Sequence, residues 1–430
     1  MSACSATVEK SPGAARAAAS PRPGAICRCR GRPGPVLLLE PRGEGFEAVP
    51  YPVPLDFEAV LLPSSSLEPY DEDLASARVL CARRRSLLAA GPRRGPPPRP
   101  VRTAMVLCAG LGTRLRPLTA KFPKPAVPFF GAPLVRYSFA LLRGAGVERV
   151  VINTHHLPEV MQTVAAAEAA RLGLELQVSN EPVIQGTAGG IRDARRFLED
   201  GPFLVLNGDA FMSLDLGDLL ARHQEQGAAA TLGVVPMPPD EQFGAVEAGR
   251  DGGVRRIAGH GPGGEGLVPW HFVGVHVIEP EAFGFMPGPG PLDINREVYP
   301  AMIAAGRRVQ AAPVRLGAWA DMGTPRRYLQ ACEEVMSGLC DLSGFGADTP
   351  LPEEAAARLR AAGPAGRLFV DPGAEQASTA IVERAQLGPG VRVGDGAIVR
   401  RACVLPGTRI APGERIEDAI ACDELRLPAG

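Results

Sequence analysis

Residues 105–137 read MVLCAGLGTRLRPLTAKFPKPAVPFFGAPLVRY. The apolar run Ala104 to Ala109 has the length of a buried strand rather than a helix. A glycine turn at Gly110 and Gly112 follows, then Thr113 and a group of cations: Arg114, Arg116, Lys121 and Lys124. No acidic residue occurs between Asp73 and Glu148. Only three of the chain's 46 basic residues are lysines, and two of them stand in this segment. Backbone N–H groups at the carboxyl edge of a sheet, beside cations and away from carboxylates, suit a polyphosphate.

Reading outward, strands and helices alternate. Arg149 to Asn153 (RVVIN), Leu174 to Val178, Phe203 to Leu206 and Ala229 to Val235 read as strands. Pro133 to Gly144, Pro158 to Leu172, Ala188 to Leu198 and Leu216 to Gln226 carry helical spacing. Continuous apolar strands between amphipathic helices predict an α/β fold, a mostly parallel, Rossmann-like sheet covered on both faces. Shorter strands follow Phe243, including Phe272 to Ile278, and a helix from Pro325 to Met336 closes this domain, set at 101–338. Residues 339–366 read as a linker with one helix, Glu353 to Ala361. From 367 to 430 a hexad appears: Ile381, Leu387, Val393, Val399, Leu405 and Ala411. Period six with an aliphatic corner predicts a short left-handed parallel β-helix. Residues 1–100 are rich in Pro, Arg and Ala, with short apolar pieces at Val36 to Leu39 and Val60 to Leu62. They read first as a disordered extension and second as a small accessory domain.

A net charge of -1 gives no general attraction to nucleic acid or membrane. No apolar run reaches membrane-spanning length. Nine scattered cysteines make neither a disulfide framework nor a zinc site; Cys27 and Cys29 are the only close pair. That usage predicts a reducing, cytoplasmic setting. The glycine loop lacks the Gly-Lys-Ser/Thr of a P-loop. It also lacks the third small residue (Leu115 stands there) and the ribose acid of a dinucleotide site, which disfavours an oxidoreductase.

The pattern GLGTRLRPLTAKFPKP, from Gly110 to Pro125 and on through Pro128, Gly131, Pro133 and Tyr137, resembles the signature of the sugar-phosphate nucleotidylyltransferases. The resemblance runs to about residue 336. It implies that the loop, with Ala109, Gly110, Gly112 and Thr113, wraps a nucleoside triphosphate. It implies further that Arg114 meets the phosphates that leave as pyrophosphate and that Lys124 reaches the nucleotide phosphates. Glu181-Pro182 and Gln185 to Gly190 (QGTAGG) resemble the base-recognition loop, which brings in Glu181 and Gly186. FLVLNGD, Phe203 to Asp209, resembles the strand ending on a metal-binding aspartate, with Asn207 on the sugar. Phe243 to Val246 (FGAV) resembles the piece lining the sugar site, which includes Gly244. Trp319 to Pro325 (WADMGTP) resembles the motif whose aspartate, here Asp321, is the second metal ligand. The family's Mg²⁺ would then sit on Asp209 and Asp321, with a nucleoside triphosphate and a sugar 1-phosphate as partners. An anionic nucleophile needs no general base, and no catalytic His dyad is found; His155 and His156 read as surface or supporting residues.

Two departures bear on the sugar. Many members carry Glu-Lys-Pro after the sugar-site strand, and here the matching stretch, Val254 to Gly261 (VRRIAGHG), has no such triplet. The asparagine that mannose enzymes place before Ala-Gly-Ile is absent from Phe272-Val273-Gly274-Val275. WHFVGVHV, Trp270 to Val277, is closer to the branch acting on N-acetylmuramate 1-phosphate or heptose phosphates. A C-terminal β-helix is commoner in guanylyl-, adenylyl- and acetylglucosamine-type members. With no histidine beyond His276, it reads as structural or as a homo-oligomer contact rather than an acyltransferase. The alternative to an active enzyme is a non-catalytic, regulatory NDP-sugar-binding paralogue. Retention of Arg114, Lys124, Asp209 and Asp321 favours the enzyme.

Overall fold

In a computed structural model the described residues are 99–237, 244–336, 340, 342, 344–345 and 368–429, with the backbone of five strands before residue 70. Those strands are β1 (Ile26–Cys29), β2 (Pro35–Arg42), β3 (Gly45–Pro50), β4 (Val60–Pro63) and β5 (Leu67–Pro69). They pair antiparallel in the order β4-β3-β2-β1-β5. Both apolar pieces noted in this region fall on strands, β2 and β4. The expected helix at Glu353 to Ala361 lies outside the described residues.

The main sheet holds β6 (Thr103–Leu107), β9 (Arg149–Thr154), β10 (Glu175–Asn180), β11 (Phe203–Asn207), β13 (Ala230–Pro236), β16 (Val268–Ile278) and β17 (Val309–Pro313). Two two-residue strands, β7 (Pro128–Phe129) and β8 (Ala132–Pro133), pair as a separate turn. The sheet order is β10-β9-β6-β11-β16-β13-β17, and only β16 runs against its neighbours. Side-chain alternation sends successive residues of a strand to opposite faces. Val106, Ile152, Leu204 and Leu206 join one core, while Met105, Val151, Phe203 and Val205 join the other. Helices α1 (Leu134–Gly144), α2 (Pro158–Leu172), α3 (Gly186–Asp193), α4 (Leu216–Gln226), α5 (Tyr299–Ala304) and α6 (Pro325–Met336) cover the sheet. Five of the expected strands and four of the expected helices match within a residue or two. Ala188 to Leu198 instead divides, because α3 ends at Asp193 and a 3₁₀ turn runs from Arg195 to Phe197.

Three smaller pieces shape the carboxyl edge. β14 (Val246–Ala248) and β15 (Val254–Ile257) pair beside the start of β16. β12 (Ala210–Leu214) pairs antiparallel with β18 (Leu316–Asp321), with Ala210 opposite Asp321. Phe243 lies outside the described residues.

The C-terminal strands are β19 (Phe369–Val370), β20 (Glu375–Gln376), β21 (Ile381–Glu383), β22 (Gln386–Leu387), β23 (Arg392–Val393) and β24 (Ile398–Arg400). β25 (Cys403–Val404), β26 (Arg409–Ile410), β27 (Arg415–Glu417), β28 (Ala419–Cys422) and β29 (Leu425–Pro428) follow. They form three parallel stacks, β19-β22-β25-β28, β20-β23-β26 and β21-β24-β27, and β29 closes the first as a hairpin. This is a β-helix arrangement, but its coil repeats every 17 residues, not 18: Ile381 aligns with Ile398, and Ile398 with Arg415. The hexad expectation is therefore corrected at three positions. Ile381 and Ala411 are exposed, and the inward positions beside Ile381's column are Val399 and Ile416, in register with Val382. Leu405 is buried, but against the main domain's core rather than inside the coil. One side of each coil is a residue short, and it turns through a positive-φ residue: Arg384, Arg401 and Asp418, again 17 apart. A six-residue period is blind to a five-residue side.

Candidate active site

The signature loop folds back on itself. Gly112 has φ 60°, and a side chain there would meet Thr119 Cγ2 at 2.9 Å. Thr119 in turn donates its hydroxyl to the Gly112 carbonyl at 2.9 Å. His156 holds the same turn from outside, its Nε2 2.6 Å from the Thr119 carbonyl. The loop thus leaves Gly110, Thr113 and Arg114 exposed at the carboxyl edge of β6, while Ala109 is buried beneath them.

Lys124 turns inward, at 5% exposure. Its ammonium donates to Asp209 Oδ2 at 2.8 Å and to Asp321 Oδ1 at 3.3 Å. Asp209 follows β11, and Asp321 ends β18; the pairing of Ala210 with Asp321 brings two residues 112 positions apart to one cation. Gly208 makes this possible, since a Cβ there would lie 2.8 Å from the Leu107 carbonyl and 3.0 Å from Cys108 Sγ. Arg114 reaches the same place, its Nη2 2.9 Å from where a Cβ on Gly323 would stand. Arg327, on the first turn of α6, donates to Asp321 Oδ2 at 2.6 Å. Burial pushes the Asp321 carboxyl up, but the charges of Lys124 and Arg327 outweigh it and hold it below its ordinary range. Burial first, then the Asp209 charge, pushes the Cys108 thiol up, so it is a protonated core residue.

Glu181 lies where the resemblance places it but turns inward. Its Oε1 accepts from Asn153 Nδ2 at 2.8 Å, and its Oε2 accepts from the Gln185 N–H at 2.8 Å. Asn153 Oδ1 accepts from the Cys108 N–H at 2.7 Å. One buried line thus ties the root of the glycine loop to residues 181–185. Gly186 has φ 70°, and a Cβ there would meet the Leu292 carbonyl at 2.7 Å. That carbonyl accepts the Ala188 N–H, closing the start of α3. His155 holds the Glu181 carbonyl at 2.8 Å, so both histidines support loops.

On the other side, Asn207 at the end of β11 is half-buried against Gly274, whose φ is 88°. A Cβ on Gly274 would stand 2.9 Å from Asn207 Nδ2. Gly244 packs on Ala258 at the entry to β14, and no described contact joins it to the cation–carboxylate group. Trp319 donates its indole N–H to the Val273 carbonyl at 2.9 Å, and the His271 ring stands edge-on to it. Asn153 and Arg327 were not legible in the sequence, because each serves through partners far along the chain. A cavity of about 680 Å³, lined by Arg99, His223 and Glu279 among others, opens at the amino edge of β13 and holds none of these residues.

The chain matches the family model described as nucleotidyl transferase over residues 103–338. It is similar to a UTP–glucose-1-phosphate uridylyltransferase of Synechocystis, 30% identical over 54% of this chain and 63% of the relative. A mannose-1-phosphate guanylyltransferase of Mycobacterium tuberculosis is 30% identical over 55% of this chain and 65% of the relative. The catalytic subunit beta of mannose-1-phosphate guanylyltransferase from Danio rerio is 31% identical over 63% of this chain and 71% of its own. The chain spans just under two thirds of the first two relatives.

Proposed function

This chain belongs to the nucleotidyl transferase family, and on that premise we propose that it joins a nucleoside triphosphate to a sugar 1-phosphate, forming an NDP-sugar and pyrophosphate. The observation that carries the reading is the convergence of Asp209 and Asp321 on one ammonium, with Arg114 alongside. The donor set fits Mg²⁺: two carboxylate oxygens face one shared cation position, and this ion commonly takes one or two carboxylates and completes its shell with phosphate and water. Asp209 and Asp321 would hold it. When bound, it would offset the repulsion between the two phosphate groups. Phosphate oxygens and water would complete the shell.

The chain's own groups do the rest. The loop from Ala109 to Thr113 offers backbone N–H groups to the triphosphate. Arg114 stabilises charge that builds on the departing pyrophosphate, and Lys124 moves from carboxylates to phosphate oxygens as the nucleotide enters. Glu181 acts through the loop it holds, presenting Val183 to Gly186 to the base. Asn207, with Gly274 behind it, and Gly244 face the sugar. The attacking sugar phosphate is already an anion, so no side chain has to remove a proton.

Relatives named for uridylyl and guanylyl transfer both match, which leaves the base open. Of the substrate pairs, GTP with mannose 1-phosphate and UTP with an N-acetylmuramate-like sugar phosphate come first. Pyrophosphate release, measured with five nucleoside triphosphates against a panel of sugar 1-phosphates, identifies the pair. With that pair, Asp209→Asn is expected to lose at least about 100-fold in turnover while melting within a few degrees of the parent. Unchanged turnover would remove the metal role of Asp209. Tight NDP-sugar binding with no release from any pair would favour a regulatory paralogue.

A further inference from the structure

Resting on the reading above, we infer that Asn153 is a positioning residue: it holds the glycine loop and the base loop at one separation, so that a nucleotide meets both. The two loops leave different strands. Residues 108–113 continue from β6, and residues 181–186 continue from β10. β9 lies between them, with Asn153 opposite Leu107 of β6 and Ser179 of β10. Strands two apart in a sheet are about 10 Å from each other, so a side chain on the strand between is a short link. The end of β9 supplies it. Asn153 Oδ1 accepts from the Cys108 N–H at 2.7 Å, and its Nδ2 donates to Glu181 Oε1 at 2.8 Å. The residues that follow repeat the pattern. The Thr154 carbonyl accepts from the Glu181 N–H at 2.8 Å. His155 Nδ1 lies 2.8 Å from the Glu181 carbonyl, and His156 Nε2 lies 2.6 Å from the Thr119 carbonyl, behind Gly112.

The chemistry of the two partners calls for an amide. A peptide N–H only donates and a carboxylate only accepts, so the link needs an acceptor at one end and a donor at the other. Aspartate would set a second carboxylate oxygen against Glu181 Oε1, and leucine would leave both buried partners unpaired. Glu181 is itself buried, and its two oxygens accept from neutral donors, the Asn153 amide and the Gln185 N–H. Hydrogen bonds to an ionised group are the strong ones, so the carboxylate grips both ends of its loop. Packing then fixes the link in place. A Cβ on Gly190 of α3 would stand 2.6 Å from Glu181 Oε1 and 2.7 Å from Asn153 Nδ2. Asn153 acts through Cys108 and Glu181 and needs no contact with substrate. Ligands that span both loops depend on it; ligands that meet the glycine loop alone do not.

The test uses the full chain with Asn153→Leu, with Asn153→Asp, and with Asn153→Asp combined with Glu181→Gln. The double variant reverses the link: the carboxylate at 153 accepts from the Cys108 N–H and from the new amide at 181, whose oxygen still meets the Gln185 N–H. Calorimetry with Mg²⁺ present reads Kd for five nucleoside triphosphates and for inorganic tripolyphosphate, which has no base. Steady-state rates give KM for nucleotide and sugar phosphate, and melting temperature checks folding. Each single variant is expected to raise nucleotide Kd and KM by about 10-fold and to narrow the preference among bases. Tripolyphosphate Kd and sugar-phosphate KM should stay within about twofold, and the double variant should recover most of the nucleotide affinity. Unchanged nucleotide binding in folded single variants would overturn the assignment. So would an equal loss for tripolyphosphate, which would leave Asn153 as a support of the glycine loop alone. If the single variants do not fold, the double variant decides. Recovery of the preference among bases supports the link; failure to recover it, or to fold, overturns the link, because every hydrogen bond is kept. If nucleotides bind but no pair releases pyrophosphate, the proposed reaction fails and calorimetry still decides Asn153. If no nucleotide binds the parent, both readings fall.

Discussion

At the scale of single residues, Lys124 organises the site. It is almost wholly buried, and it sits between two carboxylates that would otherwise repel each other across a partly shielded space. Removing it leaves the half-buried Asp321 paired with Arg327. Breaking a fully buried pair costs about 3–5 kcal/mol. Asp209 is 47% exposed at its side chain, so solvent takes up part of that loss. Lys124→Met is therefore expected to lower stability by about 1–2 kcal/mol in urea unfolding. It should also abolish most pyrophosphate release. Unchanged stability would mean that the carboxylates relax apart. Lys124 could be singled out in the sequence because it stands in a fixed run between Pro123 and Pro125. Asn153 could not, because an asparagine at the end of an apolar strand carries no sign of the Cys108 N–H and Glu181 carboxylate that it joins. Lys121, grouped in the sequence with the other cations of the signature segment, lies in the folded chain 2.7 Å from Asp423 of the β-helix, 302 positions away.

At the scale of elements, the strand pair β12–β18 and the turn before it decide the geometry. Gly208 lies against β6, and its N–H donates to the Leu107 carbonyl at 3.0 Å. A methyl group there would collide with that carbonyl and with Val106 and Cys108. Overpacking of this kind typically costs about 1–3 kcal/mol. Gly208→Ala is expected to lower the unfolding midpoint accordingly. It should also reduce turnover more than the stability loss explains, because Asp209 is the next residue. Wild-type turnover in this variant would show that β12 shifts as a unit without moving Asp209. The periodicity of α1 and α4 was legible because each buries a largely apolar face, whereas α2 buries only Met161, Ala165 and Ala169 beside the charged Glu168. The β-helix was legible in kind but not in register, since its positive-φ corners fall on Arg384, Arg401 and Asp418, residues that do not announce a left-handed turn.

At the scale of the whole molecule, the β-helix is packed into the domain that carries the site. Cys403, Leu405, Ile420 and Cys422 share one core with Tyr328, Leu329 and Cys332 of α6. The Phe130 ring stands edge-on to Phe369 at 5.0 Å, and Pro389 lies against Gly131. The segment from Lys121 to Pro133 is thus held on both sides, by the main sheet and by the coil. Buried imidazoles set an acid limit on this assembly. Burial lowers His276 to about 3; burial, then the Arg327 charge, lowers His271 to about 4. Both are neutral in the folded chain at pH 5, whereas in the unfolded chain they take up protons below about pH 6.5. The unfolded state then binds more protons, so stability falls as pH drops from about 6.5 toward 4. The slope is up to about 1.4 kcal/mol per pH unit for each histidine. Urea midpoints should therefore fall between pH 7 and pH 5, and His276→Asn should reduce the fall; equal midpoints in the parent would contradict buried, neutral imidazoles. The sequence by itself determined the alternation of strand and helix, the signature loop and the two aspartates, because hydrophobic period and local turn chemistry act over a few residues. Only the tertiary structure decided that Asp209 and Asp321 share Lys124, that Glu181 faces inward and that Arg327 takes the far oxygen of Asp321. Those contacts depend on strand register and on the direction of helix α6, which no local pattern encodes.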